Sequence, residues 1–315
     1  MSLAAVVIGR NEGARLLLCL TSLKGHADPV IYVDSGSTDG SVATAREAGA
    51  EVVELDMSRP FTAARARNAG LKRLKSVSDR EIVQMIDGDC ELQPGWTKTA
   101  LAFLQTHPKA AMVAGRLRER HAQATLWNRL ADAEWDTPVG EMEAVGGIAV
   151  LRRGAVEEVG GYRDSLIAGE EPELCLRLRR AGWTIWRLEA EMALHDIAIT
   201  RLSQWWRRTR RHGHAVAEGA VLHGSAPERF CVAERRRALL WGLGVPGAAL
   251  LGTVFVGPWA LLLLLIWPAQ VLRLKWRGEG WAAAFFLVLG KLAEAQGVLS
   301  YHLAYRKRPR IIEYK

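Results

Sequence analysis

Two aspartates one residue apart, Asp87 and Asp89, flank Gly88 directly after the apolar run Ile82–Ile86. Paired carboxylates at this spacing can hold one hard divalent cation, and such a cation can bridge a diphosphate. Gly88 would let a ligand approach the backbone closely. Alone, the tripeptide fits a solvated acidic turn equally well; its place at the end of a strand-forming run favours chemistry. A second carboxylate pair, Glu170-Glu171, follows Gly169 at the start of a helical pattern. A carboxylate placed there can take a proton from a hydroxyl, although an acidic first turn also suits any helix. His195-Asp196 follows the short run Met192–Leu194. A neutral imidazole there can complete a metal shell, with Asp196 to orient it; a lone histidine serves as readily in a structural role.

Two further groups invite phosphate or nucleoside chemistry. Arg10-Asn11-Glu12 follows the first apolar run, and Asp34-Ser35-Gly36-Ser37-Thr38-Asp39-Gly40 follows the second. Carboxylate, hydroxyl and backbone groups in such loops, notably Asp34, Gly36 and Ser37, can hydrogen-bond a base and ribose, or form a turn with a helix cap. Gln204-Trp205-Trp206-Arg207-Arg208, continuing to Arg210, Arg211, His212 and His214, offers several phosphate donors on one helix. A basic helix of this kind also suits anionic lipid.

The elements that must position these groups alternate in type. Leu3–Ile8, Val30–Val33, Glu51–Leu55 and Ile82–Ile86 read as strands; Gly13–Lys24, Ser41–Ala48 and Thr62–Leu74 read as helices. That alternation predicts an α/β fold, with a mainly parallel sheet and helices on both faces. Ligands of such sheets bind beyond the carboxyl ends of the strands, so Asp34 and Asp87 should face one crevice. Further on, Pro94–Gln105, Glu171–Ala181 and Arg201–Ala217 read as helices, and Ala110–Gly115, Gly146–Leu151 and Thr184–Leu188 as strands.

The chain of 315 residues is 49% hydrophobic, enough for one α/β domain and an appendage. Its net charge of +8 suits anionic partners without choosing among them. Cys19, Cys90, Cys175 and Cys231 form no CxxC pair, which argues against a zinc or disulfide framework and for reduced thiols in a cytosolic compartment. The opening run is too short for a secretory leader. From Ala238 to Leu272 no residue is charged, and about 20 residues suffice to cross a membrane. Arg235-Arg236-Arg237 precede this stretch and Arg273, Lys275 and Arg277 follow it, so both ends are expected on the cytoplasmic side of a hydrophobic hairpin, or a re-entrant segment, at about 238–272 that turns near Gly257-Pro258. Residues 281–305 read as an amphipathic helix on the membrane surface, with a third span as the alternative. The expected domains are 1–225 and 226–315, parted near Ser225-Ala226-Pro227.

The series VVIGRNEGARL, VDSGSTDGS, ARARNAGL, MIDGDCEL, GGIAVLRR and GEEPELCLRLRRAGW, over about residues 3 to 215, resembles the family 2 glycosyltransferases of GT-A fold. The resemblance implies that Asn11, Glu12, Asp34, Arg67 and Asn68 line the nucleotide-sugar site. It places Asp87 near the ribose or diphosphate and makes Asp89 a ligand of Mg2+ or Mn2+. Gly146 and Gly147 would border the acceptor. Glu171 would be the base of an inverting displacement with Glu170 beside it, and His195 would complete the metal shell. Two positions depart from the family pattern: its base is usually Asp, and Arg208 stands where a processive QxxRW motif, here begun by Gln204 and Arg207, would have Trp.

The expected function is therefore metal-dependent, inverting transfer of a single sugar from a UDP- or GDP-sugar to a lipid-linked acceptor. It would take place at the cytoplasmic face of the cell membrane, in polysaccharide or glycolipid synthesis. A nucleotidyltransferase on a similar sheet, or a non-catalytic membrane scaffold, are the alternatives. Nucleic acid is not expected as a partner, because the positive charge clusters near the apolar tail.

Overall fold

The computed structural model describes residues 3–304. They form two compact units: one runs to Leu166 and resumes over Glu170–Ala198, and the other comprises Ile167–Gly169 and the chain from Ile199 onward.

The first unit is built on a nine-stranded sheet. Its strands are β1 (Leu3–Gly9), β2 (Val30–Asp34), β3 (Glu51–Glu54), β4 (Ile82–Asp87), β5 (Cys90–Leu92), β6 (Ala110–Glu119), β7 (Gly140–Glu141), β8 (Ala149–Arg152) and β9 (Thr184–His195). The order is β3-β2-β1-β4-β8-β6-β9-β5, with β7 on β9. Every residue from Leu3 to Ile8 is buried, so β1 is covered on both faces, as a central parallel strand must be. The helix Ala63–Val77 packs on β1 and β2. Gly70 makes this close approach possible, since a Cβ there would overlap the Val6 side chain. The helix Trp96–Thr106 packs on β6 and β9, and its buried Trp96 donates to Gln84 Oε1 at 2.8 Å, which satisfies both groups inside the core.

The sheet is parallel over most of its paired positions, as expected, and carries an antiparallel part around β8 and at its far edge. β1–β2, β2–β3, β1–β4 and β6–β9 pair in parallel; β4–β8, β6–β8, β5–β9 and β7–β9 pair antiparallel. The chain enters β8 from an irregular segment instead of a crossover helix, so β8 runs against its neighbours. β9 is also longer than the run Thr184–Leu188 indicates. Arg187, Glu189 and Glu191 interrupt its apolar pattern, and its register against β6 shifts three times between Ala110 and Leu117.

The second unit is helical: Leu202–His223, then Val232–Leu239, a π-helical turn Leu240–Gly244, Val245–Val256, a 3₁₀ segment Gly257–Leu265, Ile266–Trp276 and Trp281–Ala304. Residues eight apart in a straight α-helix are about 12 Å apart. A Cβ on Gly252 would stand 2.8 Å from that of Ala260, so the chain folds back at Gly257, where φ is 70°.

The helix Trp281–Ala304 packs along Leu202–His223 so tightly that a Cβ on Gly213 would overlap the Glu294 carbonyl, and one on Gly297 would overlap that of Arg210. It is the central helix of its unit; predicted position 305 lies outside the described residues. Because Leu202–His223 is its partner, the division between units falls at Ala198, not at 225. By length and composition alone, Val232–Trp276 and Trp281–Leu303 are long and apolar enough to cross a membrane.

Candidate active site

Parallel registry sets the rim of the first unit's crevice. Gly9 lies opposite Asp34, and Ile8 opposite Asp87, so the loops after β1, β2 and β4 leave the sheet at one level. Asp34 is buried and shapes its own loop. Its Oδ2 accepts from Gly36 N at 2.9 Å and Ser37 N at 2.8 Å, and its Oδ1 from Tyr32 Oη at 3.1 Å. Asn11 joins the loops. Its N donates to Ser37 Oγ at 2.9 Å and its Oδ1 accepts from Thr38 N at 2.7 Å. Arg10 lies 4.6 Å over the Phe61 ring, and Glu12 pairs with Arg15 at 2.7 Å. Gly88 serves packing: the side where a Cβ would project meets Glu12 Cγ at 3.2 Å and Leu16 at 3.4 Å.

The centre of the site is Arg67, only 3% exposed, on the helix Ala63–Val77. Its Nη2 donates to Asp87 Oδ1 at 3.0 Å, and its Nη1 lies 2.8 Å from Glu170 Oε1 and 2.6 Å from Glu171 Oε1. Gly147 is where this requires glycine, since a Cβ would strike the Arg67 guanidinium and stand 2.9 Å from Glu171 Oε1. Gly146 beside it faces open space. One guanidinium cannot balance three carboxylates, and the electrostatics show it. Burial pushes Glu171 up to about 8 from the usual 4.5, with Arg67 opposing and Glu170 and Asp87 adding to the rise. Burial works against the charge on Arg67, but Glu171, Asp87 and Glu170 outweigh it and hold the guanidinium charged. Glu171 thus sits at the amino-terminal end of the helix Glu170–Arg180 with a proton affinity near neutrality, as a general base at physiological pH requires.

The antiparallel register of β5 and β9 sets Cys90 opposite His195. This brings His195 Nε2 to 3.3 Å from Asp89 Oδ2. Two ligands about 2.1 Å from one octahedral ion and at right angles to each other lie about 3 Å apart. A buried carboxylate and an imidazole at this separation therefore fit Mg2+ or Mn2+. Cys90 Sγ lies within 4.8 Å of both donors, but a soft sulfur suits other metals; it donates to Asp89 Oδ1 at 3.6 Å.

Several side chains face elsewhere than the sequence indicates. Asp196 does not orient His195: it accepts from Ala198 N at 3.1 Å and lies 3.8 Å from Arg15. Asn68 fastens the loop at 162–164, donating to Tyr162 O and Asp164 Oδ1 at 2.7 Å each and accepting from Tyr162 N at 2.9 Å. Gln204, Arg207 and Arg208 belong to the second unit. There Gln204 Oε1 caps its own helix, accepting from Thr200 N and Arg201 N, while Arg207 is exposed. Two contributors escaped sequence reading: Arg67 as the hub of the carboxylates, and Trp135, whose ring stacks on His195 at 4.8 Å. Neither has a local signal, because both depend on contacts far along the chain.

Residues 5–160 match the model of glycosyl transferase family 2. The chain is 27% identical over 234 residues to a pre-mycofactocin glycosyltransferase of Mycobacterium tuberculosis, which covers 69% of this chain and 47% of the relative. It is 22% identical over 188 residues to glycosyltransferase AglE of Haloferax volcanii, covering 56% of this chain and 60% of that one. The chain thus spans about half the length of the first of these relatives and somewhat more of the second. Among solved structures it is similar to mannosyltransferase PcManGT of Pyrobaculum calidifontis, in complex with GDP-Man and Mn2+, at TM-score 0.65 and 21% identity over 94% of this chain and 86% of that one. A segment of S. aureus TarS gives 0.55 and 14% over 100% and 95%. The chain belongs to glycosyl transferase family 2 and carries the GT-A fold.

Proposed function

We propose that this glycosyltransferase moves a single sugar, with inversion, from a UDP- or GDP-sugar to a lipid-linked acceptor at the cytoplasmic face of the membrane, aided by Mg2+ or Mn2+. The observation that carries the chemical part is Glu171, buried against Arg67 and Gly147 with its proton affinity raised. In the displacement an acceptor hydroxyl oxygen bonds to the anomeric carbon as the bond from that carbon to the diphosphate oxygen breaks. Glu171 takes the hydroxyl proton, and the bonding pair leaves with the nucleoside diphosphate. Arg67 holds Glu171 and Glu170 in place and draws in Asp87. Asp89 and His195 would hold the cation, which supplies positive charge to the leaving diphosphate. The similarity to a mannosyltransferase solved with GDP-Man and Mn2+ supports a nucleotide-sugar donor and a divalent ion.

The lipid acceptor and the membrane location rest on the second unit. Its hairpin exposes Leu250, Val254, Phe255 and Trp259, and exposed Arg236 and Arg237 precede it. Apolar surface flanked by cations suits an anionic membrane.

Asp89→Ala and Glu171→Gln test the mechanism in an assay of nucleoside diphosphate release with Mn2+ and a polyprenyl-linked acceptor. Loss of a general base lowers kcat about 10²–10⁴-fold. Full activity in both variants would sink the mechanism, and release of pyrophosphate would favour nucleotidyl transfer.

A further inference from the structure

We infer that Trp135 is a positioning residue: it holds the His195 imidazole so that Nε2 stays beside Asp89. This rests on the reading of Asp89 and His195 as cation ligands. Metal-binding histidines are usually oriented by a hydrogen bond from the second ring nitrogen to a carboxylate or carbonyl. Here Nδ1 of His195 is buried without a hydrogen-bond partner among the described residues, and the adjacent carboxylate of Asp196 is turned to Ala198 and Arg15. No polar contact at Nδ1 restrains rotation of the ring. A flat face does: the Trp135 indole stacks on the imidazole at 4.8 Å and 28°. Rotating the imidazole out of that plane would drive its edge into the indole.

Trp135 is itself held by a network that also holds the end of β9. It follows the helix Leu126–Glu134, and its N donates to Ala131 O at 3.0 Å. The next residue, Asp136, lies 3.3 Å from Arg116 Nε and 3.6 Å from Arg187 Nη2. Those arginines are buried and stand on the neighbouring strands β6 and β9. Arg116 also donates to Asp132 Oδ2 at 3.0 Å. Glu119 completes the link. Its Oε1 accepts from Asn128 Nδ2 at 2.8 Å, on the helix before Trp135, and its Oε2 from Ile197 N at 3.0 Å, two residues beyond His195. The indole and the imidazole are thus fixed against one frame.

The test is binding of Mn2+ alone to the full chain, followed by the electron paramagnetic resonance of the free ion. Loss of an orienting contact to a metal-binding histidine weakens affinity about tenfold or more. Trp135→Ala and Trp135→Leu should both weaken Mn2+ binding by about that factor. Leucine keeps the apolar bulk without the flat face, so it serves if alanine disturbs folding. Trp135→Phe should bind nearly as wild type. Combined with His195→Ala, Trp135→Leu should add nothing, because it acts through the imidazole. Wild-type Mn2+ affinity in Trp135→Leu, with weakened binding in Asp89→Ala and His195→Ala, overturns the role of Trp135. Unchanged binding in Asp89→Ala and His195→Ala overturns the cation reading itself, which is a separate result.

Discussion

The two units handle water in opposite ways. The first buries charge: Arg67 is 3% exposed and stands among Asp87, Glu170 and Glu171. The second exposes apolar groups: Phe255 is 84% exposed, Val254 78% and Trp259 76%. A buried ion cluster persists only when every member keeps its partner, and contiguous apolar surface marks contact with another apolar phase. Under the proposed function the buried charge serves the reaction centre and the exposed apolar surface serves docking. Variants that invert either arrangement test the contrast.

The largest effect is expected from Arg67→Ala. It leaves Glu170, Glu171 and Asp87 facing one another without a cation, and removing one member of a buried ion pair costs about 3–5 kcal/mol. Urea unfolding of the detergent-purified chain should show a loss of that size in the transition of the first unit. Arg67→Lys should recover only part of it, because an ammonium cannot reach three carboxylates with the planar fork of a guanidinium. A loss below about 1 kcal/mol, the level of exposed pairs, would mean that the cluster behaves as surface charge.

A smaller effect is expected at the other pole. Phe255 lies two residues before the reversal at Gly257. Burying a side chain of its class contributes about 1.5–3 kcal/mol, so Phe255→Ser should weaken association with vesicles of anionic phospholipid by roughly ten- to a hundredfold. Flotation through a density gradient reads this directly. Flotation of wild type and variant alike in the presence of 1 M salt and absence of anionic lipid would be consistent with apolar anchoring elsewhere; a wild type that stays with the soluble fraction removes the membrane reading.

Much of the first unit was legible in the sequence, because its signals are local. Apolar runs ending in Asp or Gly mark β1, β2 and β4, and parallel pairing then brings their loops together without further information. Asp87-Gly88-Asp89 follows from such an end, and Glu171 from the acidic start of a helical pattern after Gly169. What was not legible depends on register. Asp89 and His195 are 106 positions apart and meet because β5 and β9 align Cys90 with His195, while Arg187, Glu189 and Glu191 disguise β9 as two short runs. The carboxylates of Arg67 come from β4 and from the helix after Gly169, so its neighbour Asn68 was read as a nucleotide contact when it ties down the loop at 162–164. In the second unit, Gly213 and Gly297 look like ordinary helix-weakening residues. Their worth is visible only once Leu202–His223 and Trp281–Ala304 touch backbone to backbone.

The last effect is one of pH, spread over several pH units, and it has opposite signs in the two units. Glu171 is pushed up to about 8, so between its unfolded value near 4.5 and about 8 the folded state binds more protons than the unfolded one. Its contribution is fully present below about 4.5 and is lost as pH rises through about 8. His214 in the second unit is pushed down to about 4 by burial, with Arg210 and Arg211 adding to the shift. It lies 3.9 Å from Glu218 and edge-on to Tyr301. Between about 4 and 6.5 the unfolded state binds more protons, so stability is lost as pH falls through that window. Melting temperature should therefore decline on both sides of a middle range. Glu171→Gln should flatten the alkaline decline alone, and His214→Gln the acid decline alone. The same Glu171 must be ionised to accept a proton, so kcat/KM should rise as pH approaches about 8 even while the first unit loses stability. A rate profile whose rising limb sits near the ordinary glutamate value would place the working base elsewhere, and the buried carboxylates of the first unit would then be structural, like Glu173 in its pair with Arg177.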